Sequence, residues 1–321
     1  MTNEIGSEFH AVPFEYGHGL TFPRPGSLTF SGRTAIEAVL SKLSGVHSAL
    51  LPSYCCDSMI MPFQNAGLDV SFFNVKWDEE LKIELRDTAD ILLWCNYFGF
   101  RNEMPDFEGI IIEDITHSLL SEKQCHSRSD YLVASIRKWE PVYCGGYCSV
   151  EVNATVPSIK FESLKSAAMH LKTEYLFDLD KEKKSKFVSL FSESNRWLTE
   201  HYSGLSIDPW SREFLSHVDM EKQREKRREN ARVIYEGLKG KTQFMFPIQD
   251  MDCPLFVPIL INNREKIRKH LIKNEIYCPV HWPNPRDYKS NIYDMELSLI
   301  CDQRYGPEDM ERIVSVLSEV I

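Results

Sequence analysis

Several apolar segments of strand length recur in the first half of the chain, and many of them show no alternation between apolar and polar residues. These segments are 48–51, 69–75, 91–95, 109–112 and 131–136. Continuous apolar character is typical of strands buried on both faces, as in a parallel sheet covered by helices. Patterns of helical period lie between the segments, for example over residues 34–43. This alternation predicts an α/β fold with a large, mainly parallel, doubly wound sheet.

The second half of the chain changes character. Helical patterns dominate residues 155–235, including one long helix predicted over residues 211–238. A strand pattern, a helical pattern and a closing helix then follow over residues 255–321. We therefore predict a large domain over residues 1–235 and a smaller C-terminal α/β domain over residues 236–321. Ligands of doubly wound sheets bind at the carboxyl ends of the strands.

Composition excludes several classes of function. The 37 Lys and Arg residues are outnumbered by 47 Asp and Glu residues, and this balance argues against a nucleic-acid partner. No apolar run reaches the roughly 18–20 residues that cross a bilayer, and no secretory signal is recognisable. The nine cysteines lack the spacing of a zinc site. We expect a cytoplasmic protein with reduced thiols, no metal and no membrane partner.

Two adjacent carboxylates, Glu113 and Asp114, directly follow a predicted buried strand, and His117 comes three residues after the second of them. Acids at a strand end in an α/β sheet face the ligand crevice. Taken alone, the pair is better explained by one acid that caps the next helix.

A lysine in an apolar setting strengthens the functional interpretation. Lys138 follows another predicted strand, lies between Ile136 and Trp139, and is followed by the pair Gly145-Gly146. A lysine amine removed from water can attack a carbonyl and form a Schiff base. Together with a carboxylate, this is what pyridoxal phosphate requires, because the acid keeps the ring nitrogen protonated and the lysine binds the aldehyde.

A phosphate site is predicted where a glycine-containing turn opens the helix at 34–43. In the segment Ser31-Gly32-Arg33-Thr34, backbone N–H groups and the positive end of the helix dipole would attract an anion. The pair Thr34 and Glu37 also fits a helix capping box, which needs no ligand.

These segments resemble the DegT-type sugar aminotransferases, which are fold-type-I pyridoxal-phosphate enzymes. The resemblance is specific over residues 28–150. Its motifs are Ser31-Gly32-Arg33-Thr34-Ala35, Pro52-Ser53-Tyr54-Cys55-Cys56, Asn96-Tyr97-Phe98-Gly99, Glu113-Asp114-Ile-Thr-His117, and Lys138 with Gly145-Gly146.

The resemblance implies roles for individual residues. Asp114 would bind the pyridine nitrogen, His117 would lie beside the ring, and Lys138 would form the Schiff base. The phosphate would be held by Gly32, Arg33 and Thr34, with Ser135 the nearest hydroxyl before the lysine because the family's serine is replaced by Val133. Cys56 stands where the family has a ring that stacks on the cofactor, and Tyr54 would substitute for it. Tyr97 and His281 are candidate substrate contacts.

The implied reaction is pyridoxal-phosphate-dependent transfer of an amino group from an amino acid, expected to be glutamate, to a keto-sugar nucleotide for polysaccharide biosynthesis. Fold type I also implies a homodimer. Two alternatives keep the fold: another pyridoxal-phosphate reaction, such as that of a lyase, dehydratase or decarboxylase, and a non-catalytic binding protein. Lys138 argues against the second, because a protein that only binds has no need of a Schiff-base amine. Cys144 and Cys148 are expected to pack as small apolar side chains.

Overall fold

The computed structural model describes residues 4–85, 87–157, 159–282 and 290–321, without the side chain of Ile159. Its strands are β1 (Ile5–Gly6), β2 (Ser27–Thr29), β3 (Ser48–Pro52), β4 (Asp69–Asp78), β5 (Glu80–Glu84), β6 (Ile91–Cys95), β7 (Ile110–Asp114), β8 (Tyr131–Ser135), β9 (Gly146–Cys148), β10 (Gln243–Phe244), β11 (Val257–Leu260), β12 (Ile276–Tyr277) and β13 (Glu296–Leu299). Its α-helices are α1 (Gly32–Leu40), α2 (Asp57–Asn65), α3 (Ile159–Asp178), α4 (Lys181–Glu200), α5 (Pro209–Leu215), α6 (Met220–Leu238), α7 (Arg264–Lys273), α8 (Ile292–Met295) and α9 (Pro307–Ser318).

The chain forms two compact units that alternate along the sequence. The first unit contains the chain up to Ser7, Gly45–Asp130 and Glu221–Ile321, and the second contains Glu8–Ser44 and Tyr131–Met220. The predicted boundary between residues 235 and 236 lies inside α6. The division into a large and a small domain at that position stays a prediction.

In the first unit, the strands β7, β6, β3, β4 and β5 lie side by side in that order. The first four are parallel, and β5 pairs with β4 in the antiparallel sense. Every residue of β6 is buried, as its continuous apolar sequence predicts. Because β3, β6 and β7 run the same way, the residues that follow Pro52, Cys95 and Asp114 emerge at one edge.

A second sheet of the first unit joins β10, β11 and β13, all antiparallel. Apolar side chains of α6, α7 and α9 pack with it into one core, together with Ile5 of β1. The short strand β1 pairs in parallel with β12, so that Ile5 is opposite Ile276. The predicted C-terminal strand and helix pattern is therefore present.

In the second unit, β2, β9 and β8 form antiparallel pairs, and α1 packs against β8 and β9. The long helices α3 and α4 pack against each other. The single helix predicted over residues 211–238 is wrong, because the chain forms α5 and α6 with a break between Leu215 and Met220. Asp208 begins the first of these by accepting from the backbone N–H of Ser211 at 2.8 Å.

Among the described residues, no helix is both long enough and apolar enough to cross a bilayer.

Candidate functional site

The two adjacent acids at the end of β7 have different environments, as expected for neighbours on a strand. Glu113 is fully buried and accepts hydrogen bonds from the side chain of Asn96 at 2.9 Å, the backbone N–H of His126 at 2.8 Å and the hydroxyl of Ser129. Its carboxylate is therefore occupied by the protein itself. Asp114 keeps 8% of its surface exposed, and its Oδ1 accepts from the backbone N–H of Thr116 at 2.8 Å.

The alternative in which one of these acids caps a helix is wrong, because residues 116–120 form turns and not a helix. The hydrogen bond from Thr116 instead closes an Asx turn that holds the Asp114 carboxylate at the strand end. The two acids thus have different roles: Asp114 is the one predicted to bind a ligand, and Glu113 is the one that stabilises the fold.

His117 follows on the same turn and is almost completely buried. Its Nδ1 accepts a hydrogen bond from the backbone N–H of Phe98 at 2.9 Å. A neutral imidazole carries one hydrogen, so that hydrogen is on Nε2. The ring lies nearly parallel to Trp282, with the ring centroids 5.7 Å apart and 24° between the planes.

Two buried tyrosines from the ends of β3 and β6 complete this part of the first unit. The hydroxyl of Tyr54 donates to the backbone oxygen of His281, and the hydroxyl of Tyr97 donates to the backbone oxygen of Tyr54 at 2.9 Å. Burial raises the pKa of both phenols well above the usual value, so both remain protonated donors. The Tyr54 ring is enclosed, with Trp282 edge-on at 4.8 Å, and its predicted stacking on a cofactor stays a prediction.

The other residue predicted near the ring, Cys56, precedes α2 and its Sγ lies 2.8 Å from the Ser58 hydroxyl. Its predicted contact with the cofactor also stays a prediction.

His281 is held by two residues that the sequence analysis missed. The hydroxyl of Ser298 donates to Glu296 at 2.5 Å, and His281 Nδ1 lies 2.9 Å from the same hydroxyl. Since a serine has one hydrogen and gives it to the carboxylate, His281 must donate from Nδ1. Glu296 also accepts from the backbone N–H of His281 at 2.7 Å. The available signal was the alternation of polar and apolar residues in Glu296-Leu297-Ser298-Leu299, the segment that forms β13.

In the second unit, the start of α1 differs from the predicted capping box. Ser31 is the capping residue, and its hydroxyl accepts from the backbone N–H of Thr34 at 3.3 Å. The Thr34 hydroxyl donates to the backbone oxygen of Tyr202 at 2.8 Å. The capping box of Thr34 and Glu37 is therefore wrong, because Glu37 lies inside α1 and accepts from the backbone N–H of Gly204 at 3.0 Å.

The pair Gly145-Gly146 brings the turn that carries Lys138 close to the start of α1. A Cβ on Gly146 would lie 2.3 Å from the Ser31 backbone oxygen, so no larger residue fits. Gly145 accepts from the backbone N–H of Ile136 at 3.0 Å, at the beginning of the short 3₁₀ turn Ile136–Lys138. The glycines thus serve close packing between β9, this turn and the helix start.

Gly32 and Ser135 meet directly in the second unit, since a Cβ on Gly32 would lie 3.1 Å from that of Ser135. The unit therefore brings Gly32, Arg33, Thr34 and Ser135 of the predicted phosphate site together with the turn of Lys138.

The cysteines behave as apolar packing residues. All nine are free. Cys144 and Cys148 are buried, and the Cys144 thiol donates to Asp208 at 3.0 Å. Burial raises the pKa of both thiols, and this favours the neutral, unreactive form. Across the described ranges, no group of three His, Cys, Asp or Glu side chains is arranged to hold a metal ion.

No protein-family model and no curated protein matches the sequence. Solved structures do match. Spr1654 from Streptococcus pneumoniae, assigned as a sugar aminotransferase, aligns in its PMP form over 97% of this chain and 99% of that chain, with 12% identity and a TM-score of 0.62. PseC from Helicobacter pylori, an aminotransferase involved in the biosynthesis of pseudoaminic acid, aligns over 91% and 85%, with 15% identity and a TM-score of 0.59. The chain has the fold of the sugar aminotransferases.

A DegT DnrJ EryC1 StrS aminotransferase from Brucella abortus has the same sugar-aminotransferase fold, with 15% identity, a TM-score of 0.58, and 91% and 85% of the two chains covered. The fold class predicted from the alternation of strands and helices is confirmed. The similarity also extends far beyond residues 28–150, which carry the sequence motifs.

Proposed function

We propose that this chain is a pyridoxal-phosphate-dependent aminotransferase that moves an amino group from an amino acid to a keto-sugar nucleotide. The observation that carries the proposal is a sugar-aminotransferase fold in which Asp114 ends the buried strand β7 and Lys138 lies in the turn after β8. Glutamate is the proposed donor, and polysaccharide biosynthesis is the proposed use of the product.

The residues at hand fit the cofactor. Asp114 is a strand-end carboxylate fixed by a backbone N–H, which suits a protonated pyridine nitrogen. In the second unit, the buried Nε of Arg137 has no hydrogen-bond partner among the described residues, and a phosphate oxygen would supply one. When bound, pyridoxal phosphate supplies an electron sink for the carbon that bears the amino group.

Each residue then has a distinct task. Asp114 keeps the pyridine nitrogen protonated. His117 lies beside the ring and offers its Nε2–H. Lys138 binds the aldehyde and carries protons to and from the reacting carbon. Gly32 and Arg33 hold the phosphate with the start of α1, beside Ser135 and Thr34.

Substrate recognition is the proposed task of residues from the first unit. We propose that Tyr97 and His281 contact the substrate, and that Tyr54 and Cys56 line the cofactor ring.

We also propose a homodimer in the cytoplasm. A reducing compartment is supported by nine free cysteines, most of them buried.

The test is the absorption spectrum of the purified protein incubated with pyridoxal phosphate. We expect a visible band in the wild type that Lys138→Ala lacks, because the substitution removes the amine that is proposed to bond to the aldehyde. Lys42→Ala, in an exposed position of the same unit, serves as the matched control and should keep the band. An identical spectrum in wild type and Lys138→Ala would refute the proposal.

A second arm separates transamination from other reactions of this cofactor. Adding glutamate to the loaded wild type should remove the visible band as the amino group is transferred. A band that no amino donor changes would favour the lyase interpretation or a non-catalytic binding protein.

A further inference from the structure

The 3₁₀ turn after β8 carries two adjacent cations, Arg137 and Lys138. The Nε atom of Arg137 is buried and has no hydrogen-bond partner among the described residues. Buried donors in folded proteins nearly always have an acceptor, so an unused guanidinium N–H in this position indicates that a ligand provides one.

A second arginine lies close to the first. Arg33 is in the first turn of α1, and the preceding residue, Gly32, packs against Ser135 just before the 3₁₀ turn. The Nε of Arg33 is buried as well. Burial lowers the pKa of Arg137, nearby Glu8 opposes this effect, and the positive charge of Arg33 lowers the pKa further. Two neighbouring guanidinium groups repel each other unless an anion lies between them.

Glu8, the carboxylate that acts on Arg137, is already shared with other cations. Glu8 lies 3.5 Å from the Nζ of Lys165, which is 5% exposed, and accepts from the side chain of Asn195 at 3.2 Å. The Nζ of the buried Lys172 donates to the backbone oxygen of Glu8 at 2.6 Å. Glu8 thus faces several positive charges, and its negative charge is shared between Lys165 and Arg137.

The hydroxyl groups at the start of α1 are occupied by the protein. Thr34 gives its hydrogen to the backbone oxygen of Tyr202. The Ser31 hydroxyl lies 3.0 Å from the Thr34 hydroxyl, so Ser31 must be the donor of that pair. Val133, which stands where the family that the chain resembles has a serine, offers no hydroxyl either. Hydroxyl hydrogens of Ser31 and Thr34 are therefore unavailable to an anion in this arrangement.

We propose that Arg33 and Arg137 together bind the phosphate group of pyridoxal phosphate. This inference rests on the proposed function, because that function supplies the anion. Each guanidinium can donate two parallel hydrogen bonds to phosphate oxygens, which a lysine cannot do. The positive end of α1 adds to the attraction. Arg137 thereby becomes a cofactor-binding residue adjacent to the lysine that bonds the aldehyde.

The test compares pyridoxal phosphate with pyridoxal, which lacks the phosphate group. Equilibrium binding of both is measured on the full-length apoprotein for the wild type, Arg137→Gln, Arg33→Gln and Arg137→Lys. Arg128→Gln is the control, because it removes the same charge from an exposed ion pair with Asp106. We expect Arg137→Gln and Arg33→Gln each to weaken binding of pyridoxal phosphate by about 10- to 100-fold, the usual effect of a lost charged hydrogen bond.

Binding of pyridoxal should change little in the same variants, and Arg137→Lys should recover only part of the affinity. Inorganic phosphate should raise the melting temperature of the wild-type apoprotein more than that of Arg137→Gln. Equal losses for both ligands would mean that Arg137 is only structural, and unchanged affinity for pyridoxal phosphate would also refute the inference. A wild type that forms no Lys138-dependent band would instead overturn the proposed function, so the two failures are distinguishable.

Discussion

At the scale of single residues, the adjacent carboxylates Glu113 and Asp114 have different roles: Glu113 stabilises the fold, and Asp114 is the proposed cofactor ligand. The sequence shows two acids after a buried strand and cannot tell which one faces inward. Glu113 is the acid whose carboxylate accepts hydrogen bonds inside the protein, and the donors come from Asn96, His126 and Ser129, which are distant in sequence. Those contacts depend on tertiary packing, and this is why the sequence alone left the two acids equivalent.

The two acids should respond differently to removal of their charge. Glu113→Gln puts an amide donor where several donors already converge, and we expect the free energy of unfolding to fall by about 1–3 kcal/mol. Asp114→Asn should change that free energy much less, yet slow the glutamate-driven loss of the visible band by about 100-fold or more. Urea denaturation and stopped-flow absorbance measure the two effects. Equal destabilisation by both substitutions would contradict the assignment.

Asp252 provides a pH-dependent test at the same scale. Burial raises the pKa of this carboxyl to about 6, although a hydrogen bond from Gln249 and the charge of Arg228 oppose the shift. The unfolded chain has the lower pKa, so the folded state binds the proton more tightly between about pH 4 and pH 6. The contribution of Asp252 to stability is therefore present below that range and is lost as the pH rises through it. Asp252→Asn should remove this contribution to the pH dependence of the free energy of unfolding, measured by urea denaturation between about pH 4 and pH 6. The same pH dependence in the wild type and the variant would contradict the assignment.

At the scale of elements, the helix α6 shows where a sequence pattern is insufficient. The alternating acids and bases of residues 221–229 predict a solvated helix face, with Glu225 paired to Arg228. Arg228 instead pairs with Glu122 at 3.2 Å, and Arg227 is fully buried. By contrast, the apolar segment 91–95 predicts β6 to the residue, because continuous apolar strands are determined by local sequence. Charged residues find their partners through the fold.

The buried arginine of α6 should be important for stability. Arg227 donates to the backbone oxygens of Pro254 and Leu255 and to the side chain of Gln303. Arg227→Gln leaves buried carbonyl oxygens without a donor, and we expect a loss of roughly 2–3 kcal/mol in the free energy of unfolding. Lys226→Gln, in an exposed pair with Glu229, is the matched control and should cost less than about 1 kcal/mol. Similar losses in both variants would contradict this account.

At the scale of the whole molecule, the sequence predicted the fold class but not the two interleaved units. Strand and helix types follow from local periodicity, whereas the grouping of residues 45–130 with 221–321 depends on contacts between distant segments. The same reason explains the missed residues Glu296 and Ser298. They act on His281 only because β13 lies beside it in the fold.

The pairing of β1 with β12 has a consequence for how the protein is made. Ile5 leaves the ribosome long before its partner Ile276 is made. The core that encloses Ile5 also requires α9, which ends at Ser318. The first unit therefore cannot complete its core until α9 has been synthesised, and Ile5 lacks its packing partners until then.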